Sequence, residues 1–275
     1  MSKDRLDVLL VSRGLFSSRE KAKASIMAGI VSVNGQMTDK AGTPVSDDCV
    51  IDIKENLCPF VGRGGLKLAK AIDEFNLNVK DKIALDIGAS TGGFTDCMLQ
   101  NGAKKVYAID VGYGLLDYSL RNNPQVVNIE KTNIRYLDFD LILDPIDFIS
   151  IDVSFISLAL VLPIASKLLE NDGEMICLVK PQFEAGKDQV GKGGIVRDKS
   201  IHIQVIEKVI SSGKEQNLSL KGLTYSPVKG AKGNIEYLLL FTKSEVAALE
   251  VDVSDVVVKA QESLNLKKKE EEKTS

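Results

Sequence analysis

The segment 85–95 constrains the fold of this chain more than any other part of its sequence. Residues 82–87 form an apolar run that predicts a buried strand, and the glycines that follow predict a tight turn into a helix. Glycines let the backbone approach a ligand closely, and the helix start offers unpaired N–H groups. A second apolar run, 106–109, ends at Asp110, 24 residues after Asp86. An acid at about this spacing binds a ribose diol in doubly wound folds, so the pattern predicts a nucleoside-containing ligand.

The turn departs from the G-x-G-x-x-G pattern of dinucleotide-binding folds, because Ser90 stands at the middle glycine. Asp86 would repel a pyrophosphate at the strand end and instead suits an ammonium group. S-adenosylmethionine has an ammonium group, a ribose and no phosphate. The pattern D-x-G-x-S-x-G-G resembles the first motif of methyltransferases that use this cofactor, which implies cofactor binding by Asp86, Gly88, Ser90, Gly92, Gly93 and Asp110. A glycine turn with only a structural role is the alternative, and the two acids argue against it.

Strand and helix patterns alternate along most of the chain after residue 63. Predicted strands lie at 82–87, 105–109, 125–129, 146–151 and 173–179, and predicted helices at 64–75, 92–101, 116–121, 156–170 and 199–213. Two strands, 218–225 and 234–242, follow each other closely, which favours an antiparallel pair. The alternation predicts an α/β fold with a doubly wound, mostly parallel sheet covered on both faces.

A small α+β domain is predicted to precede this sheet. Its predicted elements are helices at 5–10 and 19–28, strands at 30–33 and 50–53, an Asn34-Gly35 hairpin turn, and helix boundaries at Ser17, Ser18 and Gly29. The predicted boundaries are a small domain at 1–58, a linker at 59–62, a large domain at 63–245, and a C-terminal helix with a disordered charged tail at 246–275.

Charge is distributed unevenly along the chain. The net charge is −3, so a surface that binds nucleic acid must be local. Residues 1–40 carry a net charge of +3 and residues 180–232 carry +5, which suits a partner lined with phosphates. Two ordinary solvated faces are the alternative.

Several functional classes conflict with the composition. His202 is the single histidine, which argues against histidine metal sites and histidine-based triads, so no metal is expected. Four cysteines without C-x-x-C spacing indicate a reduced, cytoplasmic protein. The most apolar stretch, 146–165, is interrupted by Asp147, Asp152 and Pro163, so neither a membrane span nor a signal peptide is expected.

The N-terminal residues resemble the alpha-L RNA-binding motif of a small-subunit ribosomal protein, tyrosyl-tRNA synthetases and pseudouridine synthases. The matching residues are Arg5-Leu6-Asp7, Ser17-Ser18-Arg19, Ala22, Ile26, Gly29, Val31, Val33, Asn34 and Gly35. The resemblance implies RNA binding by the basic residues Arg5, Arg13, Arg19, Lys21 and Lys23. A small domain that binds nothing is the alternative.

Four charged residues lie at or beside predicted strand ends, where ligands bind in such sheets. They are Lys67, Asp152, Lys180 and Glu236, the last of which interrupts the predicted strand 234–242. Because a charge is costly to bury unless it is paired, a structural salt-bridge network is one interpretation. The order Lys-Asp-Lys-Glu resembles the catalytic tetrad of FtsJ-like ribose 2′-O-methyltransferases.

With the N-terminal motif, the chain resembles the TlyA (hemolysin A) family over nearly its full length. The segments 60–68, 151–158, 179–184 and 191–198 carry this resemblance. It implies methylation of the cytidine ribose 2′-hydroxyl in 16S or 23S ribosomal RNA, or both, with ribosomal subunits as partners. Arg63 is a further candidate for RNA contact.

The glycine-rich loop 186–198 is long enough to suggest a function. We interpret it as a flap that touches RNA phosphates through Lys187, Lys192 and Arg197. A mobile surface loop is the alternative.

A ribose 2′-hydroxyl is a poor nucleophile until its proton is accepted. A lysine can accept the proton if its pKa falls from about 10.4 toward neutral, which a nearby cation and burial favour and acids oppose. By resemblance, Lys180 is the general base, and Lys67 lowers its pKa and holds the target ribose or phosphate. Asp152 and Glu236 orient the lysines and the hydroxyl.

Three other functions remain as hypotheses for this chain. A non-catalytic RNA- or ribosome-binding protein on a methyltransferase scaffold would not need Asp86 and Asp110. A membrane-active hemolysin fits poorly with the absence of a long apolar segment. A base methyltransferase acting on exocyclic amines would often carry an Asn/Asp-Pro-Pro-Tyr/Phe sequence, which the chain lacks.

Overall fold

The computed structural model describes residues 3–16, 18–27, 30–38, 40–53, 58–244, 246 and 249–273, without the side chains of residues 3, 21, 24, 27, 231 and 265–273. The chain divides into two units, Met1–Cys58 and Pro59–Ser275. The predicted helix boundaries at Ser17 and Gly29 lie outside the described residues.

The small unit packs two helices against short antiparallel strands. Its elements are β1 (Lys3–Arg5), α1 (Leu6–Ser12), α2 (Arg19–Met27), β2 (Val31–Val33), β3 (Gln36–Met37), β4 (Pro44–Ser46) and β5 (Ile51–Ile53). β1 pairs with β4, and β2 pairs with both β3 and β5. Leu6, Leu10 and Ile26 are fully buried in its core. The predicted helices and strands are present, and Asn34 and Gly35 have the positive φ angles, 51° and 78°, of a type I′ hairpin turn.

The large unit is built around a seven-stranded sheet. Its strands are β6 (Ile83–Ile87), β7 (Lys105–Ile109), β8 (Val126–Ile129), β9 (Ile146–Ile151), β10 (Leu169–Val179), β11 (Ser219–Tyr225) and β12 (Tyr237–Thr242). Its helices are α3 (Gly64–Glu74), α4 (Gly93–Gln100), α5 (Tyr118–Arg121), α6 (Leu162–Leu168), α7 (Pro181–Glu184), α8 (Lys199–Glu215) and α9 (Val253–Lys273).

The strand order is β11-β12-β10-β9-β6-β7-β8. The five strands from β10 to β8 are parallel, whereas β12 runs antiparallel to both β10 and β11. The predicted α/β fold with a mostly parallel sheet and a final antiparallel pair is therefore confirmed.

Three predicted elements differ from the structure. The helix predicted at 156–170 is a 3₁₀ turn, Leu158–Leu160, followed by α6, because Pro163 occupies the first turn and cannot donate a backbone hydrogen bond. Glu236 directly precedes β12 instead of interrupting a strand. α9 continues through the charged residues 267–273, which the sequence predicted as disordered, because lysine and glutamate are strong helix formers.

Both faces of the sheet are buried, since successive side chains of a strand point to opposite sides. Leu85 and Ile149 pack in the core on one face, whereas Ala84 and Phe148 pack on the other. The parallel strands therefore end together at one edge, and the residues that follow β6, β7, β9 and β10 meet there.

Candidate active site

Two neighbouring cavities lie at the carboxyl ends of β6, β7, β9 and β10. The first has a volume of about 460 Å³ and contains Asp110, and we call it the Asp110 cavity. The second has a volume of about 230 Å³ and is lined by Lys67 and Lys180, and we call it the lysine cavity. Four residues line both cavities: Gly88, Ser90, Asp152 and Ser154. A ligand in one cavity would thus lie next to a ligand in the other.

Two backbone N–H groups, one in the glycine-rich turn and one in the loop after β7, hold the Asp110 carboxylate in place. Oδ2 accepts from the Ser90 N–H at 2.8 Å, and Oδ1 accepts from the Gly112 N–H at 2.7 Å. Each oxygen keeps lone-pair capacity toward the cavity, since a carboxylate can accept about four hydrogen bonds. The apolar residues Ile109, Val111, Leu115, Ile134 and Ile156 also line this cavity. An acid beside apolar walls fits a ribose next to a base.

Two glycines of the turn are required by geometry. Gly88 has φ +85°, and a Cβ there would lie 2.5 Å from the Asp152 carbonyl oxygen. Gly92 has φ +94°, and a Cβ there would lie 2.2 Å from Leu120 Cδ1. Any other residue would be strained at these angles and would displace a neighbour. The turn can therefore pass between β9 and α5 only with glycine at both positions.

The structure corrects the role predicted for Asp86. This residue is fully buried, and its oxygens accept hydrogen bonds from Thr95 Oγ1 at 2.7 Å and from Ser150 Oγ at 2.9 Å. It lines neither cavity. Burial raises the pKa of Asp86 to about 6. Asp86 therefore connects β6, α4 and β9 inside the sheet instead of reaching the ligand directly.

The other residues predicted to bind the cofactor are distributed over the two cavities. Gly88 and Ser90 line both, Asp110 lines the first, and Gly93 lines the lysine cavity. Gly92 lines neither and serves the turn itself.

The four predicted tetrad residues form two ion pairs. Lys67 Nζ lies 2.6 Å from Glu236 Oε2, and the side chains are 11% and 2% exposed. Lys180 Nζ lies 2.5 Å from Asp152 Oδ1 and donates to Ser154 Oγ at 3.0 Å. Glu236 does not line the lysine cavity but lies behind Gly230, where a Cβ would be 1.9 Å from Glu236 Oε1. Each lysine thus has its own acid, as the salt-bridge interpretation requires, and both lysines also face one cavity.

The elements around the lysine cavity explain these positions. Lys67 lies in the first turns of α3, and Lys180 directly precedes Pro181 at the start of α7. Asp152 follows β9, and its N–H donates to the Ile87 carbonyl at 2.9 Å, which joins the ends of β9 and β6. Strand ends and helix starts therefore bring both pairs to the same edge.

Sequence reasoning missed Phe155, which lines the Asp110 cavity. Its side chain is 90% exposed and its φ is +63°, an angle that costs about 1–2 kcal/mol for a residue with a Cβ. Its ring centroid lies 4.8 Å from that of Phe183. Exposure and strain are properties of the tertiary structure, so no sequence pattern could have revealed them. Lys229, which lines the lysine cavity, was also missed.

The three arginines among the basic residues predicted in the small unit have intramolecular partners. Arg5 Nε lies 2.9 Å and Arg19 Nη2 lies 3.0 Å from the buried Asp7 carboxylate. These arginines hold the pKa of Asp7 down at about 2. Arg13 donates to the backbone carbonyls of Cys49 and Asp47. Arg5 and Arg19 remain half-exposed, Lys23 is exposed, and the side chain of Lys21 lies outside the described residues.

The basic residues predicted in the large unit are all exposed. Arg63 lines the lysine cavity. Lys187 lies in a 3₁₀ turn and Lys192 in a turn closed by a bridge between Gly191 and Ile195. Arg197 lines a third cavity. Loop 186–198 thus contains a 3₁₀ turn and a bridged turn.

Two features of the described residues bear on metal-dependent and membrane-spanning proteins as alternatives. No group of histidine, cysteine, aspartate or glutamate side chains there is arranged to hold a metal ion. Within the same residues, no helix is long and apolar enough to cross a membrane.

Comparison with known families agrees with this architecture. The model of the FtsJ-like methyltransferases matches residues 60–243, and the model of the S4 domain matches residues 4–51. The fold and the paired cavities thus define a methyltransferase with an S4 domain.

Relatives narrow the family further. The protein named 16S/23S rRNA (cytidine-2′-O)-methyltransferase TlyA from Mycobacterium tuberculosis is 42% identical over 93% of this chain and 96% of its own. Hemolysin A from Brachyspira hyodysenteriae is 45% identical over 86% of this chain and 99% of its own. A solved Streptococcus thermophilus structure that carries the hemolysin name is 47% identical and superposes with a TM-score of 0.78, covering 98% of this chain and 99% of that one. The chain belongs to the TlyA/hemolysin A family of FtsJ-like methyltransferases.

Proposed function

We propose that the chain transfers a methyl group from S-adenosylmethionine to the 2′-hydroxyl of a cytidine ribose in ribosomal RNA. The observation that carries this proposal is the pair of cavities that share Gly88, Ser90, Asp152 and Ser154. One cavity fits a nucleoside, and the other presents paired lysines and acids. The relative named for cytidine-2′-O methylation supports the choice of acceptor.

The Asp110 cavity fits S-adenosylmethionine. Asp110 would accept hydrogen bonds from the ribose hydroxyls, and the backbone of Gly88 and Ser90 would border the methionine portion. When bound, the cofactor would supply a methyl group on a sulfonium, which needs no further activation. The chain's own task is to align the acceptor oxygen with that methyl group.

We assign Lys180 as the group that takes up the hydroxyl proton. It contacts both Asp152 and Ser154, which line the two cavities, so it lies nearest to their junction. Lys67 lies in the same cavity with Glu236 behind it, a position suited to holding the ribose or a phosphate oxygen. Asp152 orients Lys180 and can accept a hydrogen bond from the 2′-hydroxyl.

The target base has a candidate platform in Phe155. Its exposed ring lies at the rim of the Asp110 cavity, and aromatic side chains bind unstacked RNA bases by stacking. In the small unit, the half-exposed Arg5 and Arg19 and the exposed Lys23 would contact RNA phosphates.

The first test is methyl transfer from labelled S-adenosylmethionine to purified small and large ribosomal subunits, with the methylated riboses mapped. We expect a 2′-O-methylcytidine in one or both subunit RNAs. Cofactor binding without transfer to either subunit or to free ribosomal RNA would contradict the proposal and favour an RNA-binding scaffold.

The second test addresses Lys180. Lys180→Met should bind S-adenosylmethionine normally but transfer the methyl group about 10²–10⁴-fold more slowly in a single turnover. Lys221→Met is the matched control, because Lys221 in β11 also pairs with an acid, Glu174 at 2.6 Å, and lines neither cavity. Near-normal transfer by Lys180→Met would show that another group accepts the proton.

A further inference from the structure

A third cavity of about 420 Å³ lies beside the lysine cavity, and we call it the basic pocket. Its charged lining consists of Arg197, Lys229 and Lys232, and no acidic side chain lines it among the residues that the structure describes. Lys229 lines both the basic pocket and the lysine cavity. A ligand extending from the lysine cavity past Lys229 would therefore enter a region of positive charge.

Two loops and Gln261 of α9 line the basic pocket, and one buried side chain holds the two loops together. Asn234 is 2% exposed, its Nδ2 donates to the Gly194 carbonyl at 2.9 Å, and its Oδ1 accepts from the Val196 N–H at 3.1 Å. The Val196 carbonyl in turn lies 3.0 Å from His202 Nε2 in α8. Loop 186–198 is thus tied to the turn before β12, which sets Arg197 and Lys232 around one space.

The backbone of Lys232 is strained. Its φ is +60°, in the left-handed region that disfavours residues with a Cβ by about 1–2 kcal/mol. A Cβ built on Gly194 would lie 3.7 Å from Lys232 Nζ, so the ammonium group reaches the opposite loop. The described residues contain no ion pair that neutralises Arg197 or Lys232. Two cations kept together without an acid are ready to bind an anion.

We propose that the basic pocket binds a backbone phosphate of the RNA strand next to the target nucleotide. This inference rests on the proposed function for the identity of the strand. A phosphodiester matches the pocket, because arginine and lysine are the side chains that most often contact nucleic-acid phosphates. The shared Lys229 makes the bound phosphate a neighbour of the nucleotide in the lysine cavity. The contact would position the strand without reading its sequence.

The test measures how salt affects binding of a single-stranded RNA oligonucleotide to the full chain between about 50 and 200 mM salt. Removing the contact to this one phosphate should lower the slope of log affinity against log salt by about 0.7, since each phosphate neutralised on a single strand contributes about 0.7. Arg197→Gln/Lys232→Gln removes both charges and keeps polar side chains at both positions. Lys214→Gln is the control, because it is an exposed lysine at the far end of α8, about 22 Å along the helix from residue 199.

We expect the reduced slope only in the double variant, with Arg197→Lys retaining the wild-type slope. The tyrosine circular dichroism of the double variant should match that of the wild type, which confirms folding. If it does not, the two single variants are each measured for a loss of slope of up to about 0.7. Equal slopes in all variants would overturn the inference, as would a loss of inorganic phosphate binding without any change for RNA. Binding is measured without methyl transfer, so an inactive wild-type chain would refute the proposed function and still leave the pocket tested.

Discussion

The ion pair between Lys67 and Glu236 predicts a large loss of stability when one partner is neutralised. The two atoms lie 2.6 Å apart with side chains 11% and 2% exposed, so little water reaches either charge. Glu236→Gln leaves the Lys67 ammonium buried without a counter-charge, although the amide oxygen can still accept its hydrogen bond. Breaking a buried pair costs about 3–5 kcal/mol of stability. Because the hydrogen bond is retained, we expect a loss at the lower end, about 3 kcal/mol.

Thermal unfolding of the large unit measures this loss. All six tyrosines lie in the large unit, at positions 107, 113, 118, 136, 225 and 237, so near-ultraviolet tyrosine circular dichroism reports on that unit. For a unit of this size, about 3 kcal/mol corresponds to a fall in melting temperature of about 6–12 °C. The double variant Lys67→Met/Glu236→Leu should recover most of it, because apolar side chains replace a buried pair without leaving a charge.

A matched exposed pair provides the control. Lys259 Nζ also lies 2.6 Å from an acid, Asp255 Oδ2, but the side chains are 64% and 49% exposed. Asp255→Asn should not shift the melting temperature measurably, since water screens an exposed pair. If Glu236→Gln melted within about 2 °C of the wild type, the reasoning from burial would be refuted.

Three more substitutions test the cofactor turn, the buried acid and the exposed ring. Gly88→Ala should weaken S-adenosylmethionine binding about tenfold or more, because its Cβ would lie 2.5 Å from a carbonyl oxygen and relieving the clash costs on the order of 1–3 kcal/mol. The control is Gly114→Ala, because Gly114 has φ +70° and a Cβ there would have no atom within 4 Å. This variant should keep the wild-type affinity for S-adenosylmethionine in calorimetry. Equal losses of affinity in the two variants would contradict the argument. Burial raises the pKa of Asp86 to about 6, so the folded state binds a proton that the unfolded chain has lost, and stability falls as pH rises from about 4 to about 6. The stability of Asp86→Asn, measured by urea unfolding, should not show this fall. A pH profile parallel to that of the wild type would refute the role of Asp86. Phe155→Ala should raise the KM for RNA about 5–150-fold while Phe155→Tyr preserves it, and an equal rise in both would exclude stacking.

Much of the large unit could be predicted because its strands and helices are marked by local pattern. Apolar runs of four to six residues and the glycines between them predict strands, turns and helix starts from neighbouring residues alone. The rule that ligands bind beyond the carboxyl ends of parallel strands then placed Gly88, Asp110, Asp152 and Lys180 at one edge, where the structure has them. The same rule misplaced Asp86, because a strand buried on both faces does not show which of its side chains reach the ligand.

The sequence by itself determined the alternation of elements, the glycine turn and the types of charged residue available to the site. Only the tertiary structure decided how these charges pair: Lys67 and Glu236 lie 169 positions apart in the chain, and no local pattern relates them. It also decided the exposure of Phe155 and the approach of two loops through Asn234, which creates the basic pocket. The physical reason is that periodicity records which face of an element avoids water, whereas contacts between distant side chains depend on how whole elements pack.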